Sequence, residues 1–221
     1  DEQQAASLLK GIRKACDVFG VQFAGGHTSI APETGPGLAV AILGFARSLL
    51  SCHHVEPGQA ICMISDLNGS WHRDKPYWAT IGDKSPQQIR AHWELLPQLA
   101  EQGLLKAAKD ISNGGLIGTL LMMLELKRFG AVFGLDAIPR PEGCNDLARW
   151  LKAFQSYGFI ITCDEHNIQD IIEQVSAHDL CCEQIGRVTE DPRLIIKDGA
   201  SSYSLWDFTE QTLTGFWVEQ D

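Results

Sequence analysis

The sequence predicts an α/β protein in which a mixed sheet is covered by helices. From about Pro57 onward, short apolar runs of strand length alternate with longer stretches that have the apolar spacing of helices. The alternation ends in two successive strand-like runs around Asp198-Gly199, a pair typical of a hairpin turn. The start of the chain has a simpler pattern, a helix and apolar runs. We therefore expect two regions, residues 1–52 and a sheet domain over residues 57–221.

The N-terminal region is predicted to contain one helix and two strands. The helix covers about residues 2–19, where apolar side chains recur on one face. A short strand over residues 21–23 leads into the glycine pair Gly25-Gly26. After a loop over residues 34–37, the nearly continuous apolar run from Gly37 to Ala46 favours a strand buried on both faces. One helix and two strands cannot enclose a core, so this region needs further elements to pack against.

The sheet domain begins with a strand over residues 59–65 and a polar, aromatic loop over residues 66–78. Ser85-Pro86 then opens a helix that runs to about Glu101, because serine caps a helix start and proline suits its first position. The later strands are predicted over residues 104–110, 131–136, 159–163, 181–188, 193–197 and 201–206, and the later helices over residues 113–128, 141–153 and 164–178.

Composition restricts the classes of function. The chain has 18 lysines and arginines against 28 aspartates and glutamates, a net charge of −10, which disfavours binding to nucleic acid. Its apolar stretches are shorter than the roughly 20 residues of a membrane span, and no signal peptide is visible. The seven cysteines are odd in number and match no paired zinc spacing, which indicates free thiols in a reducing cytoplasm. Cys52-His53-His54 is a weaker metal candidate and is better interpreted as a surface turn.

A polar turn between an apolar strand and an apolar helix is the strongest candidate for a functional site. It runs from Asp110 through Ser112 and Asn113 to Gly114-Gly115. With Asn113 as the predicted N-cap, the first N–H groups of the helix and its dipole would attract an anion. A carboxylate beside an anion makes sense if a divalent cation bridges Asp110 to phosphate oxygens. The alternative is an ordinary capped helix in which Asp110 bonds local amides.

A second glycine pair is followed by polar side chains, in Gly25-Gly26-His27-Thr28. His27 would be presented at a turn, where it either contacts a ligand or is simply hydrogen-bonded within the turn. His92, His166 and His178 are expected on helix surfaces.

The polar loop over residues 66–78 is a third, weaker candidate. Arg73 and Lys75 would supply positive charge to a substrate, and Trp71, Tyr77 and Trp78 would supply stacking faces. An ordinary loop tethered by its aromatic residues is the alternative interpretation.

These segments together resemble the aminoimidazole ribonucleotide (AIR) synthetase superfamily. The order of Gly25-Gly26-His27-Thr28, the apolar run from Gly37 to Phe45 and Lys109-Asp-Ile-Ser-Asn-Gly-Gly-Leu116 is the order seen in that superfamily, and the late strands at Gly158 and Ile185 are similar too. Its members include formylglycinamidine ribonucleotide synthetase, thiamine-monophosphate kinase, selenophosphate synthetase and a hydrogenase maturation protein. No phosphate-binding loop of the Walker type and no Gly-x-Ser-x-Gly elbow competes with this interpretation.

The resemblance implies an enzyme that uses ATP and Mg²⁺ to phosphorylate or activate a small molecule. It assigns the nucleotide and its phosphates to Gly25, Gly26, His27, Thr28, Ser112, Asn113, Gly114 and Gly115, Mg²⁺ to Asp110, and the substrate loop to Arg73 and Lys75. It implies a fold like the C-terminal domain of AIR synthetase, preceded by a remnant of the ATP-binding N-terminal domain whose other strands would lie before Asp1. A homodimer is the implied assembly.

Asn113 departs from the family's kinase pattern, which has aspartate at this position. The alternative function is therefore a non-catalytic member, or an isolated domain that acts in a protein assembly. The acceptor substrate is left open by the sequence.

Overall fold

The computed structural model describes residues 2–29 and 37–218. The helices are α1 (Glu2–Phe19), α2 (Pro86–Glu101), α3 (Gly115–Glu125), α4 (Leu147–Leu151) and α5 (Ile168–Ser176). The strands are β1 (Ala60–Ser65), β2 (Ser70–Trp71), β3 (Tyr77–Ala79), β4 (Ala107–Asp110), β5 (Gly130–Gly134), β6 (Phe154–Gln155), β7 (Gly158–Cys163), β8 (Cys181–Thr189), β9 (Arg193–Asp198) and β10 (Ser201–Asp207).

The main sheet is mixed, as predicted. Within the described residues it has seven strands in the order β10-β9-β5-β8-β1-β7-β4. Only β5 and β9 pair in parallel, and the other neighbours are antiparallel. The hairpin of β9 and β10 turns at Asp198-Gly199, as expected. Strands β2 and β3 form where an irregular loop was predicted over residues 66–78, and together with the distant β6 they make a small second sheet in the order β2-β3-β6.

The central strand β1 is buried on both faces, and its side chains alternate between two cores. Ile61 and Met63 point into a core that includes Leu120 and Leu124 of α3. Cys62 and Ile64 point into a second core that includes Leu95 of α2 and Ile171 and Val175 of α5. A helix layer on each face explains why the strand is a continuous apolar run.

Helix α2 begins as the sequence predicts. The Ser85 side chain accepts from the Gln88 backbone N–H at 3.3 Å, and the Gln88 side chain accepts from the Ser85 N–H at 2.9 Å. This reciprocal capping box satisfies two N–H groups that a helix start leaves unpaired.

Three predicted helices are shorter in the structure, and the one expected over residues 164–178 is limited to α5, which follows a short 3₁₀ turn at Glu165–Asn167. The helix expected over residues 141–153 is limited to α4, and α3 ends near Leu126 rather than Arg128. Arg128 has a φ of 53°, which a right-handed helix cannot accommodate, so the chain turns there into β5.

The C-terminal segment is fastened to the end of α3. The carboxylate of Glu125, which is 1% exposed, accepts from the backbone N–H groups of Leu213 at 2.6 Å, Thr214 at 2.9 Å and Gly215 at 3.2 Å. Arg128 lies over the Trp217 ring at 4.2 Å. The buried Glu125 carboxylate therefore holds the C-terminal segment against the end of α3.

The N-terminal region differs most from the prediction. Helix α1 forms, but none of its described residues is buried. Residues 21–23 and 37–46 do not form strands, because among the described residues no strand pairs with them. A strand needs a neighbour to receive its backbone hydrogen bonds, and an apolar run cannot supply one. The loop expected over residues 34–37 lies, except for Gly37, outside the described residues.

Candidate functional site

Asp110 is the last residue of β4, as predicted, and it is exposed. Strands β1 and β4 both run antiparallel to β7, which lies between them, so their C-terminal ends meet at one end of the sheet. Asp66 follows β1 there and donates its N–H to the Tyr157 carbonyl at 3.2 Å. This end of the sheet therefore carries two carboxylates, one buried and one exposed.

The turn after Asp110 is tight and depends on one glycine. The Gly115 N–H donates to the Ser112 carbonyl at 2.8 Å, and Gly115 has a φ of 61°. A Cβ at Gly115 would overlap the Leu151 carbonyl oxygen and lie 2.7 Å from the Lys152 Cα. The glycine therefore lets α3 start directly against the end of α4.

The N-cap of α3 is Gly114, and no side chain bonds to the start of this helix. The prediction that Asn113 caps the helix is therefore wrong. The turn hydrogen bond from Gly115 to Ser112 moves the helix start one residue on and leaves Asn113 exposed. Without a side-chain cap, the N–H groups that follow Gly115 in the first turn of α3, together with the helix dipole, stay available to an anion.

The carboxylate of Asp110 makes no side-chain hydrogen bond or ion pair with any residue that the structure describes. This exposed carboxylate beside an uncapped helix start has the donor chemistry of a Mg²⁺ ligand. Among residues 2–29 and 37–218, no three His, Cys, Asp or Glu side chains are grouped to hold a metal by themselves. Mg²⁺ commonly takes one or two carboxylates and completes its shell with water and phosphate, so the residues fit that mode.

A buried ionic cluster lies at the same end of the sheet, and sequence reasoning missed it. The Asp66 carboxylate, 1% exposed, lies 2.7 Å from Lys84 Nζ and 3.9 Å from His92 Nδ1. Lys84 also donates to the Thr80 carbonyl at 2.9 Å. His92 is 7% exposed, so its expected place on the helix surface is wrong. The charge pattern alone could not indicate the pairing, because the residues are far apart in sequence.

Burial sets the proton affinity of this cluster. It lowers the pKa of His92 despite the nearby Asp66 carboxylate, and it raises the pKa of Tyr157. The Tyr157 hydroxyl donates to the His92 carbonyl at 2.7 Å, which fixes α2 over the end of β7. Neutral His92 leaves Lys84 as the positive partner of Asp66.

The segment Gly25–Thr28 is exposed, and a Cβ at either Gly25 or Gly26 would meet nothing within 4 Å. It follows α1, which is held against α2 by Arg90 hydrogen bonds to the Asp17 and Val18 carbonyls. These contacts bring the end of α1 to α2, but no hydrogen bond joins the described residues of the two glycine motifs. Their shared cleft stays a prediction.

Arg73 and Lys75 lie on the exposed turn between β2 and β3. Their backbone carbonyls accept from Arg149 at 3.1 and 3.3 Å, and that guanidinium lies 4.0 Å from the centre of the Trp71 ring. The neighbouring Trp78 is buried. These contacts hold the turn in place, which favours the interpretation of aromatic residues as tethers.

The structure places a surface cavity of about 630 Å³ at the opposite end of the sheet. Its charged residues pair with one another, Lys106 with Asp164 at 2.9 Å and Arg187 with Glu165 at 2.7 Å. This cavity is lined by His53 and His54 of the weaker metal candidate, but by none of the residues assigned to the nucleotide, Mg²⁺ or the substrate loop.

Residues 65–199 match the family model described as AIR synthase related protein, C-terminal domain. An uncharacterized protein of Synechocystis sp. is 36% identical over 96% of this chain, and one of Methanocaldococcus jannaschii is 34% identical over 97%. The chain therefore belongs to the AIR synthase related family. It spans 66% and 67% of the length of these two relatives.

More distant relatives carry named activities. Phosphoribosylformylglycinamidine synthase subunit PurL of Rhodopseudomonas palustris is 28% identical over 83% of this chain and 26% of its own length. The selenide, water dikinase of Colwellia psychrerythraea is 28% identical over 64% of this chain and 42% of its own length.

Solved structures share the fold. Thermotoga maritima PurL complexed with ATP has a TM-score of 0.59 at 20% identity, over 74% of this chain and 26% of that one. A HypE–HypF complex has a TM-score of 0.52 at 15% identity, over 71% of this chain and 55% of that one. Within the part of the chain that the structure describes, no helix is both long and apolar enough to cross a membrane.

Proposed function

We propose that this chain is part of an enzyme that uses Mg·ATP to phosphorylate or activate a small molecule. The observation that carries the proposal is the exposed, unpaired carboxylate of Asp110 beside the uncapped start of α3. Membership of the AIR synthase related family supports it, since the family includes relatives named as synthases and a dikinase. In the proposal, residues 1–52 belong to an ATP-binding domain and residues 57–221 form the C-terminal domain.

Each motif has a distinct task in this proposal. Asp110 contributes one ligand to Mg²⁺, which neutralises phosphate charge. The backbone N–H groups that follow Gly115, with the side chains of Ser112 and Asn113, hold the phosphates. The nucleotide is contacted from the other side by Gly25, Gly26, His27 and Thr28. Arg73 and Lys75 face the small-molecule substrate.

The metal role of Asp110 is tested by calorimetry with Mg·ATP on the chain and on Asp110→Asn. Neutralising the carboxylate removes a metal ligand while keeping its shape, so binding should weaken at least about tenfold. Asp136→Asn is the matched control, because Asp136 is also exposed and lies in another turn. We expect roughly millimolar binding by the chain, since Asp110 is a single carboxylate ligand and water and phosphate complete the metal's shell.

Equal binding by Asp110→Asn and the unchanged chain contradicts the metal role. Binding of ATP that does not depend on Mg²⁺ contradicts it as well. Failure of the chain to bind Mg·ATP at all contradicts the nucleotide site.

A non-catalytic role in a protein assembly is the second candidate, and the apolar N-terminal surface favours it. Leu43 is 98% exposed, Ile42 74% and Val40 66%, which is unusual for a contiguous run. We propose that this surface is covered by a second copy of the chain. The free state of all seven cysteines supports a reducing, cytoplasmic location for either role.

Sedimentation at a series of concentrations tests the homodimer. The chain should show a concentration-dependent dimer, and Ile42→Ser with Leu43→Ser should shift it toward the monomer. Leu205→Ser, which removes an apolar side chain that is 44% exposed on β10, is the control and should leave the dimer intact. A monomer at every concentration contradicts the proposal.

A further inference from the structure

A row of aromatic rings connects the end of α1 with the strand beside Asp110. Phe19 contacts Trp93 of α2 edge-to-face, with ring centres 6.1 Å apart. Trp93 in turn contacts Phe159 of β7 at 6.0 Å. Phe159 is the register partner of Asp110 in the pairing of β4 with β7, so the two side chains lie on one face of the sheet. The row therefore reaches from the segment before Gly25 to the carboxylate.

Trp93 is the exposed member at the middle of this row. It is 42% exposed, although α2 buries Ile89, Leu96 and Leu99 on its inner side. The Tyr157 ring contacts the Trp93 ring edge-to-face, with ring centres 5.6 Å apart. Arg90, one turn earlier, fixes the end of α1 beside it through the Val18 carbonyl at 3.0 Å. The indole is thus held in a defined orientation while a large part of its surface faces solvent.

We propose that Trp93 is the surface on which the purine base of the nucleotide stacks. The inference rests on the proposed function, because it takes the triphosphate to lie between Asp110 and the start of α3. From there, the base can extend along the aromatic row toward Gly25–Thr28. An aromatic ring that is already fixed by its neighbours loses little freedom when a base covers it, and stacking of a base on such a ring strengthens binding.

The chemistry predicts a nucleotide-specific contribution. Trp93 would contact only the base, whereas Asp110 acts only through the metal and the phosphates. The ligand class is a purine nucleoside triphosphate, and tripolyphosphate is the matched probe that lacks the base. Trp93 would be a specificity-determining residue that discriminates the nucleotide from other polyphosphates.

The experiment compares Mg·ATP with Mg·tripolyphosphate by calorimetry on the chain, Trp93→Ala and Trp93→Phe. Trp93→Ala should weaken Mg·ATP by about 5- to 150-fold and leave Mg·tripolyphosphate unchanged. Trp93→Phe keeps an aromatic face and should retain most of the affinity for Mg·ATP. Trp217→Ala is the control, because Trp217 is 40% exposed but lies over Arg128.

Two results overturn the stacking role while leaving the nucleotide site intact. One is equal affinity of the chain for the two probes, and the other is an unchanged affinity of Trp93→Ala for Mg·ATP. If the chain binds neither probe, the proposed function itself fails. Should Trp93→Ala unfold, saturation transfer from the indole protons to the adenine protons in the unchanged chain decides instead, and its absence contradicts the proposal.

Discussion

The sheet domain and the N-terminal region contain similar apolar runs, yet they differ completely in burial. Ile61 to Ile64 in β1 are 0% exposed, whereas Ile42 to Leu43 are 74% and 98% exposed. The run in β1 has β7 and β8 as neighbours and a helix layer on each face. The run over residues 37–46 has neither among the described residues. Apolar composition therefore indicates which segments would be stabilised by burial. The strands and helices that lie beside a segment determine whether it is buried.

The contacts that join residues 2–29 and 37–47 to the sheet domain are polar or peripheral. Arg47 pairs with Glu101 at 3.4 Å, but the Arg47 side chain is 86% exposed, so this pair contributes little to stability. The Phe19–Trp93 contact and the Arg90 hydrogen bonds join α1 to α2. The chain meets the sheet directly at the end of the N-terminal region, where the Leu50 carbonyl accepts from the Ala108 N–H at 3.2 Å and Leu50 and Cys52 pack against the cores. Stability should thus be concentrated in the sheet domain, and three pairs of substitutions test this difference.

The largest effect is expected from Lys84→Met. It leaves the buried Asp66 carboxylate without its cation, and breaking a buried pair in this way costs about 3–5 kcal/mol. Lys10→Met in the exposed helix α1 is the matched change and should stay within about 0.5 kcal/mol. Urea denaturation measures both free energies of unfolding. Adding Asp66→Asn to Lys84→Met should recover part of the loss, and no recovery would contradict the ionic explanation.

The next effect comes from adding one methyl group to each glycine pair. Gly115→Ala forces a positive φ on alanine and pushes its Cβ against the end of α4, which should cost about 3 kcal/mol. Gly26→Ala meets nothing within 4 Å and should be nearly neutral. Thermal unfolding, with Gly118→Ala as a control inside α3, checks the comparison. Equal shifts for Gly115→Ala and Gly26→Ala would contradict the described turn.

The smallest effect compares two glutamates. Glu125→Gln leaves too few acceptors for the N–H groups of residues 213–215 and should cost about 1–3 kcal/mol. Glu101→Gln removes only the exposed pair with Arg47 and should cost less than about 1 kcal/mol. Hydrogen exchange should show the loss at residues 213–218. Exchange that is unchanged there would contradict the anchoring role.

The Glu125 anchor also predicts a dependence on pH. Burial raises the pKa of Glu125, but the hydrogen bonds from Thr214 and from the backbone of residues 213–215 outweigh it, and the net pKa is lowered. The stabilisation is therefore complete above the ordinary glutamate pKa of about 4.3 and is lost as pH falls through the lower folded value. Glu125→Gln should lose this part of the acid dependence, whereas Glu101→Gln should keep it.

Local patterns identified the elements whose determinants are close in sequence. The capping box of α2, the hairpin at Asp198-Gly199 and the position of Asp110 at the end of β4 all depend on a few adjacent residues. The N-cap of α3 was missed by one residue, because Gly115 in contact with α4 determines where the helix starts. That contact is between segments more than 30 residues apart in sequence.

The sequence by itself determined the class of fold, the family and the position of the turn from Asp110 to Gly115 between β4 and α3. Tertiary structure alone decided that His92 is buried, that Asp66 pairs with Lys84 and that Trp93 lies between the end of α1 and β7. It also decided that the run over residues 37–46 stays unpaired among the described residues. The physical reason is the separation of the interacting residues along the sequence. The hydrogen bonds of caps and turns are made by neighbouring residues, whereas ion pairs, ring contacts and strand pairing need partners that only the folded chain brings together.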